Sequence, residues 1–287
     1  MAGQRKQRFG FREFPPGPSV VGLRLLALAL IAFTGVTFSC GGEAPSEKKL
    51  PLPGEVWRVD GRTAFLIAPA EPPPPAGRPN PWVWYAPTLP PYPGDAERWM
   101  FERFTRAGIA IAGIDVGESY GSPAGRSGFS AFYAELTKRR GYSARPVLLG
   151  RSRGGLQLIN WAADHPAQVA AFAGIYPVCN LASYPGLAKA APAYGLTVEQ
   201  LTADLARHNP IDRLAPLAAA RVPFFAIHGD VDRLVPLELN SGLLRERYTA
   251  LGGTMTLVVP PGQGHSMWLG FFQSEELVAF VLQHAFR

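Results

Sequence analysis

The stretch of residues 146–156, PVLLGRSRGGL, restricts the fold of this chain more than any other. Residues 146–149 form a short apolar run of the kind that a strand buried on both faces of a parallel sheet needs. After the turn, apolar residues recur at helical spacing from Leu156 to Ala163, and Pro166 closes the pattern. The stretch therefore predicts a buried strand, a sharp turn and a helix.

Between this strand and this helix lies the pattern Gly150-x-Ser152-x-Gly154. The turn holds Ser152 in a strained backbone conformation, and a side chain at Gly150 or Gly154 would collide with a neighbouring strand or helix. The serine hydroxyl is thereby lifted above the sheet, with a helix N-terminus behind it. The pattern is that of a nucleophile elbow. Taken alone, the stretch also fits a plain strand-to-helix turn with an incidental serine.

The net charge of +6 is concentrated at the N-terminus. Residues 1–39 hold five basic residues and one acidic residue, which leaves 23 basic and 21 acidic residues in the rest of the chain. A nearly balanced domain gives no support for nucleic-acid binding, which calls for a basic patch or stripe.

The first forty residues resemble an export signal. A basic start precedes the apolar run of residues 25–36, which is too short for a comfortable membrane span. Thr37-Phe38-Ser39-Cys40 follows and resembles a bacterial lipoprotein signal, in which Cys40 would be lipidated and attach the protein to a membrane. Thr37 stands where such signals usually carry leucine, so ordinary signal-peptidase cleavage and a single N-terminal anchor remain as alternatives. All three place the domain outside the cytoplasm.

Residues 41–54 are polar, carry prolines and show no periodicity, which predicts a tether before a domain at residues 55–287. The chain has only two cysteines, Cys40 and Cys179. If Cys40 carries lipid, Cys179 is a free, buried thiol and no disulfide framework exists. The sequence shows neither a metal-ligand cluster nor a glycine-rich phosphate loop, so we expect neither a metal nor a cofactor.

From residue 55 onward, strand patterns and helix patterns alternate. Asp60-Gly61 predicts a two-residue hairpin between the first two strands. In residues 176–215, Pro185, Pro192 and Pro210 break short helical pieces, which predicts a small cap over the site. The expected strands are residues 56–59, 63–67, 82–85, 109–114, 146–149, 169–175, 222–227 and 255–259, and the expected helices are residues 95–106, 129–139, 156–163, 237–251 and 275–286. The alternation favours an α/β fold, a three-layer αβα sandwich around a mostly parallel sheet.

Two further loops carry suitable chemistry at strand ends, where sites form in parallel sheets. Asp232 follows one expected strand, in the segment HGDVDRLVP, and His265 follows the next, in GQGHSMW. With Ser152, the order along the chain is Ser, Asp, His, which among the serine-triad folds is the order of the α/β-hydrolases. Asp230 is the rival acid in the first of these loops.

The sequence thus resembles the α/β-hydrolase fold serine hydrolases, in particular the dienelactone hydrolase and prolyl oligopeptidase-like group. The resemblance spans residues 56–286 and rests on the elbow, on HGxxDxxVP and on the Gly-His pair. It implies Ser152 as nucleophile, Asp232 as acid and His265 as base. The chemistry agrees, because a serine hydroxyl attacks a carbonyl carbon only when a base takes its proton, and a carboxylate fixes the tautomer of that base.

The oxyanion that develops during acyl transfer needs two preorganised donors. The elbow predicts the backbone N–H of Arg153 as one of them. The other should come from the loop after the third strand, where family members often carry His-Gly; Pro87 has no N–H, so Thr88 is the candidate. Glucuronoyl esterases also place arginine directly after the elbow serine, where its side chain helps to bind the oxyanion, although their acid differs. The alternative is an Arg153 side chain paired with Glu118 or Asp115.

Three side chains are candidates for contact with substrate: Tyr176, Trp268 and Glu118. Trp161 lies at helical spacing and is expected in the core, and Arg151 is expected to serve in packing or in a salt bridge. The other histidines are expected to be structural or solvated, with His228 orienting the acid loop; they are His165, His208, His228 and His284.

These patterns predict an exported serine hydrolase that cleaves a small-molecule or carbohydrate ester through an acyl-enzyme. A prolyl oligopeptidase-like peptidase would use the same triad, but those enzymes usually carry an N-terminal propeller domain. A non-catalytic, carbohydrate-binding lipoprotein on a hydrolase fold is the third possibility. The acyl group, the alcohol and the oligomeric state are left open by the sequence.

Overall fold

The computed structural model of the chain describes residues 48–69 and 79–286. The predicted signal, Cys40, the first half of the predicted tether (residues 41–47) and part of the proline-rich loop lie outside the described residues. Among the described residues, no helix combines the length and the apolar character that crossing a membrane requires.

An eight-stranded sheet forms the centre of the fold. Its strands are β1 (Glu55–Val59), β2 (Arg62–Ile67), β3 (Trp82–Ala86), β4 (Ala110–Ile114), β5 (Val147–Arg151), β6 (Ala171–Ile175), β7 (Phe224–Ile227) and β8 (Met255–Val258). They lie in the order β1-β2-β4-β3-β5-β6-β7-β8. The β1–β2 hairpin is antiparallel and β2 pairs antiparallel with β4, whereas all pairs from β4 to β8 are parallel. The predicted mostly parallel sheet is confirmed.

Helices cover both faces of this sheet. On one face α1 (Arg98–Arg106) and α10 (Glu275–Ala285) pack on the alternate strand residues that include Val83, Leu149 and Phe225. The other face, which includes Trp84, Leu148 and Phe224, is covered by α2 (Pro123–Ala134), α3 (Gly154–Asp164), α7 (Ala215–Ala219) and α8 (Ser241–Ala250). Burial of β5 and β6 along their whole length explains why their sequences are apolar apart from Arg151 at the end of β5. The arrangement is the predicted three-layer sandwich.

Three short helices lie between β6 and α7, inside the predicted cap. They are α4 (Leu187–Tyr194), α5 (Val198–Ala203) and α6 (Leu205–His208). Their buried residues, among them Ala190 and Leu201, share a separate apolar cluster with Tyr120, Leu156 and Val235. This insertion therefore packs on the loops and helix that follow β4, β5 and β7, which is where the site residues were predicted.

Several helix boundaries differ from the sequence-based prediction. Helix α2 begins at Pro123 rather than at residue 129, because the Ser122 hydroxyl caps it by accepting the Gly125 N–H and proline suits the first helical position. Helix α8 begins at Ser241 rather than at residue 237, since Asn240 leaves helical geometry at φ −124° and ψ −97°. A short helix, α9 (Leu269–Phe272), was not predicted.

Two expectations about single residues are confirmed by burial. The Trp161 side chain is fully buried in the core, where its ring centroid lies 4.7 Å from that of Trp84. Cys179 is a free and fully buried thiol, and burial raises the pKa of this thiol above its ordinary value. A protonated, inaccessible thiol is a poor nucleophile, so Cys179 belongs to the packing.

Candidate active site

Ser152 lies between the end of β5 and the start of α3 in a left-handed backbone conformation, with φ of 48°. The strain is held by backbone hydrogen bonds on both sides: the Ser152 N–H donates to the Ile175 carbonyl at 2.9 Å, and the Val178 N–H donates to the Ser152 carbonyl at 2.8 Å. Both partners belong to β6 or the loop after it. The neighbouring strand therefore fixes the turn that presents the serine hydroxyl.

The glycines of the elbow have the predicted steric role. A Cβ at Gly154 would overlap the backbone of Ala86 at the end of β3, and a Cβ at Gly150 would lie 3.1 Å from the Gly155 nitrogen in α3. Gly154 thus lets the turn approach the adjacent strand, and Gly150 lets α3 pack over β5. Gly155, which follows the motif, also has no space for a side chain, because a Cβ there would lie 2.5 Å from the Val178 carbonyl oxygen.

The structure brings the three predicted triad residues together. Oγ of Ser152 lies 3.0 Å from Nε2 of His265, and Nδ1 of His265 lies 2.7 Å from Oδ2 of Asp232. Asp230, the rival acid, is exposed two residues before Asp232 and is not the carboxylate that His265 contacts. Residues 113 positions apart in the chain therefore form one continuous hydrogen-bonded row.

The Asp232 carboxylate is buried and accepts hydrogen bonds at both oxygens. Oδ1 accepts the backbone N–H groups of Leu234 at 3.0 Å and Val235 at 2.8 Å, and Oδ2 lies 3.3 Å from Nε2 of His228 in addition to its bond with His265. Burial acts to raise the pKa of this carboxyl, but the hydrogen bonds from His228, His265 and the Val235 N–H outweigh it and hold the pKa well below the ordinary value. Asp232 is therefore ionised at neutral pH.

His228 is fully buried directly behind Asp232. Nε2 lies 2.8 Å from the Val235 carbonyl, and Nδ1 lies 2.8 Å from the Ser241 hydroxyl. The carbonyl can only accept, so the ring proton belongs on Nε2 and Nδ1 accepts the Ser241 proton. The ring thus ties the acid loop to α8, in agreement with the predicted orienting role.

Ser152 and His265 lie on the wall of a cavity of about 240 Å³. The cavity is lined by two arginines, three tyrosines and apolar or small residues besides the reactive pair; the full set is Pro87, Tyr92, Arg151, Ser152, Arg153, Tyr176, Tyr184, Leu234, His265, Ser266 and Met267. Its residues come from the loops after β3, β5, β6, β7 and β8, as expected for the carboxyl edge of a parallel sheet. Among the described residues, no group of three or more His, Cys, Asp or Glu side chains could hold a metal ion.

No protein-family model matches the sequence, and no curated protein matches it. Solved structures do match. The puromycin-hydrolyzing peptidase of Mycobacterium tuberculosis has a TM-score of 0.64 and 17% identity over 85% of this chain and 42% of that chain. An S-formylglutathione hydrolase from Agrobacterium tumefaciens has a TM-score of 0.63 and 15% identity over 81% of this chain and 94% of that chain. Est1E from Butyrivibrio proteoclasticus has a TM-score of 0.60 and 18% identity over 80% of this chain and 98% of that chain.

The chain has the α/β-hydrolase fold. It spans less than half the length of the mycobacterial peptidase and nearly all of the other two proteins. At these identities the likeness concerns the fold, which confirms the fold class predicted from the sequence.

Arg153 follows the nucleophile in this α/β-hydrolase fold and directly precedes the first residue of α3. Its guanidinium pairs with Glu118 at 3.0 Å, so the pairing weighed as an alternative in the sequence is the one observed. Its Nε is buried and has no acceptor among the described residues. The side chain lines the cavity, whereas Glu118 is half exposed and does not.

The other predicted site residues are placed unequally. Tyr176 lines the cavity, and its ring centroid lies 4.3 Å from that of His265. Trp268 is outside the lining and packs edge-on against Phe271. Thr88 is buried, does not line the cavity, and donates its hydroxyl proton to the Tyr85 carbonyl at 3.2 Å.

Besides Arg151, six residues of the cavity wall were not predicted as site residues: Pro87, Tyr92, Tyr184, Leu234, Ser266 and Met267. Their only sequence signal is position, since each lies in a loop at the carboxyl edge of the sheet. Arg151 also lines the cavity, and its expected salt bridge is present at 2.7 Å to Glu97. Nothing in the sequence near Arg151 indicates that partner, which precedes it by 54 residues.

Proposed function

We propose that the protein is a serine hydrolase that cleaves carboxylic esters through an acyl-enzyme on Ser152. The observation that carries the proposal is the row from Ser152 Oγ through His265 to the ionised Asp232, which opens into a cavity at the helix N-terminus. A nucleophile, a base and an orienting acid in that geometry form the arrangement that activates a serine hydroxyl.

In the acylation step, Ser152 Oγ attacks the ester carbonyl carbon while its proton passes to Nε2 of His265. Asp232 accepts the Nδ1–H of His265, so it keeps the free lone pair on Nε2 and stabilises the imidazolium that forms. Collapse of the tetrahedral intermediate breaks the bond to the alcohol oxygen, which takes the proton from Nε2. Water then attacks the acyl-enzyme by the same route and regenerates Ser152.

The developing oxyanion needs donors on the side of the carbonyl away from His265. The backbone N–H of Arg153 fits this role, because it follows the nucleophile at the start of α3 and makes no turn or cap hydrogen bond among the described residues. For the second donor we retain the backbone N–H of Thr88. Pro87 lines the cavity but has no N–H, and Thr88 is the next residue in the chain.

Esters are favoured over peptides with a free amino terminus by the composition of the cavity wall. An ammonium group is bound by carboxylates, and within residues 48–69 and 79–286 no aspartate or glutamate lines this cavity. Tyr176 is our candidate for contact with the acyl group, and Trp268 and Glu118 are retained as candidates for parts of the substrate that extend beyond the cavity.

The direct test is hydrolysis by residues 41–287 of a panel that contains p-nitrophenyl acetate, p-nitrophenyl butyrate, acetylated xylan, a glucuronate ester and a peptide amide. Ser152→Ala is the control for background hydrolysis, and fluorophosphonate labelling reports the activated serine. Ester turnover and labelling that are both lost in the variant support the proposal. Turnover of the amide alone would favour a peptidase. The absence of both turnover and labelling would favour the non-catalytic, carbohydrate-binding protein.

We also propose that the protein is exported and anchored by lipid on Cys40. The support is the N-terminal sequence: a basic start, a short apolar run and the Thr-Phe-Ser-Cys segment. Mass spectrometry of the mature N-terminus from membrane fractions, with Cys40→Ala as control, tests it. A diacylated N-terminal peptide that is absent from the variant supports the anchor, whereas a cleaved, unmodified N-terminus in both proteins would mean ordinary secretion.

A further inference from the structure

Arg151 is a buried cation beside the reactive serine that the proposed mechanism does not use. It is the last residue of β5, is 6% exposed, and lines the cavity next to Ser152. Its guanidinium lies over the ring of Tyr92 at 4.4 Å and that of Phe272 at 5.0 Å. These two aromatic contacts help to hold the group in place, and its N–H donors lie along its edges, where other partners can reach them.

Among the described residues, the N–H donors of the Arg151 guanidinium outnumber the oxygen atoms that accept from them. Nε donates to the Tyr176 hydroxyl at 3.2 Å, and Nη1 donates to Oε1 of Glu97 at 2.7 Å. Nη2 donates to the thioether sulfur of Met267 at 2.9 Å and has no oxygen acceptor in the part of the chain that the structure describes. Because a thioether is a weak acceptor and buried donors normally have a strong one, Nη2 lacks a proper partner.

Glu97 is fixed in its present position and does not serve Nη2. The carboxylate is fully buried. Oε1 also accepts the Tyr85 hydroxyl at 2.7 Å, and Oε2 accepts the Gly94 N–H at 2.9 Å. With both oxygens engaged, Glu97 balances the charge of Arg151 from one side, and the guanidinium is held ready for a ligand on the other.

The cavity wall as a whole favours an anion. Arg151 and Arg153 both line it, and no aspartate or glutamate is found among the described residues that form its wall. The partner of Arg153, Glu118, has a side chain that is 46% exposed, so water screens its charge. The buried Nε of Arg153 has no acceptor among the described residues. Two guanidinium groups on one small cavity therefore offer N–H donors that the protein leaves unsatisfied.

We propose that Arg151 recognises a carboxylate carried by the substrate, so that the preferred substrates are short anionic esters. The carboxylate binds Nη2 of Arg151 in place of the Met267 thioether, while the ester carbonyl lies at Ser152. Met267 is 53% exposed, and its side chain must move aside for the carboxylate to bind. A cavity of about 240 Å³ fits a short linker between the two groups. The proposal rests on the proposed esterase function, since it names the substrate class of that site.

Matched esters test the proposal. Methyl hydrogen succinate and methyl 4-oxopentanoate have the same backbone, but only the first carries a carboxylate, in its acid half. The pair 4-acetoxybutanoate and 5-acetoxypentan-2-one places the same difference in the alcohol half. We expect kcat/KM at least tenfold higher for the anionic member of one pair, because a charge-assisted hydrogen bond to guanidinium replaces a weaker contact. The pair that shows the preference identifies the half of the ester that Arg151 contacts.

Met267 provides the variants, because replacing Arg151 would leave the Glu97 carboxylate buried without its counter-charge. Met267→Glu places a carboxylate of the protein against Nη2 and should reduce the anionic preference to less than twofold. Met267→Leu, the matched control, removes the sulfur without supplying an acceptor and should keep the preference. Loss of the preference in both variants, or retention in both, would overturn the assignment to Nη2.

The outcomes separate this inference from the proposed function. If all four esters are hydrolysed and neither pair shows a preference, the esterase stands and the anion site is wrong. Binding to the Ser152→Ala protein, measured by calorimetry, does not depend on turnover. Binding of an anionic ester at least tenfold tighter than its neutral partner supports the anion site even where no ester is hydrolysed, and equal binding there refutes it.

Discussion

Two histidines contact the same oxygen of Asp232 but differ in their exposure and in the serine that the second ring nitrogen meets. His265 lies 2.7 Å from Oδ2, lines the cavity and directs its second nitrogen to Ser152. His228 lies 3.3 Å from Oδ2, is fully buried, and directs its second nitrogen to Ser241. The second nitrogen of His265 thus contacts a serine hydroxyl at the cavity, whereas the second nitrogen of His228 contacts a serine hydroxyl that is buried in the core.

The difference shows how one carboxylate can serve catalysis and folding together. Toward His265, Asp232 fixes the tautomer of a ring that must gain and lose a proton. Toward His228, it joins a closed set of hydrogen bonds that holds the acid loop on α8. Removing one ring should therefore change the reaction and removing the other should change stability.

The largest expected effect comes from His265→Ala. Without the base, Ser152 loses the acceptor for its proton, and ester hydrolysis should fall by about 10⁴-fold or more. The ring lies at the cavity wall, so the free energy of unfolding should change by less than about 1 kcal/mol. Steady-state kinetics and urea unfolding on the same preparations measure both quantities. A variant that keeps more than a tenth of the wild-type kcat/KM would exclude His265 as the base.

His228→Ala should have the opposite pattern of effects, with a large loss of stability and a small loss of activity. The change empties a buried site and leaves the Val235 carbonyl and the Ser241 hydroxyl without their partner, which should cost about 2–4 kcal/mol in the free energy of unfolding. Asp232 keeps its contacts with His265, Leu234 and Val235, so kcat/KM should fall by about tenfold or less.

The His265→Ala protein is the matched comparison, since both variants remove one imidazole from Asp232. Urea midpoints and ester kinetics are again the measurements. Equal losses of activity in the two variants, with unchanged stability in both, would mean that the two rings act as one catalytic unit.

The smallest expected effect is on the pH dependence of stability. The pKa of Asp232 is lowered in the folded state, so its contribution to stability is complete above the unfolded value of about 3.9 and is lost as the pH falls through the native pKa. The stability difference between wild type and Asp232→Asn should therefore shrink by about 1 kcal/mol between pH 6 and pH 3.

Denaturant titrations at a series of pH values measure this difference. Asp230→Asn is the matched control for the loss of one carboxylate in the same loop. A difference between wild type and Asp232→Asn that stays constant or widens toward acid would contradict the lowered pKa of Asp232.

Much of the fold could be predicted from local sequence. Buried parallel strands are recognisable as short apolar runs, and the hairpin turn and the elbow glycines have steric reasons that act over a few residues. Helix ends were less well predicted: the cap at Ser122 and the break at Asn240 depend on single side chains within a polar segment.

Of the site, the sequence predicted the groups that follow strands in a fixed order, Ser152, Asp232 and His265. Their convergence follows from topology, because parallel strands end at one edge of the sheet. The sequence did not predict that His228 would also contact the Asp232 carboxylate, because that contact depends on how the loop after β7 folds back toward α8.

The sequence by itself determined the kind of chain this is: an alternating α/β domain with a strained serine turn and two polar loops after later strands. Only the tertiary structure decided which charges meet. Glu97 reaches Arg151 from a short turn before α1, and Glu118 reaches Arg153 from the loop after β4, and neither pairing has a local signature. The reason is that the elbow pattern arises from backbone sterics within a few residues, whereas each ion pair joins segments that only the sheet order brings side by side.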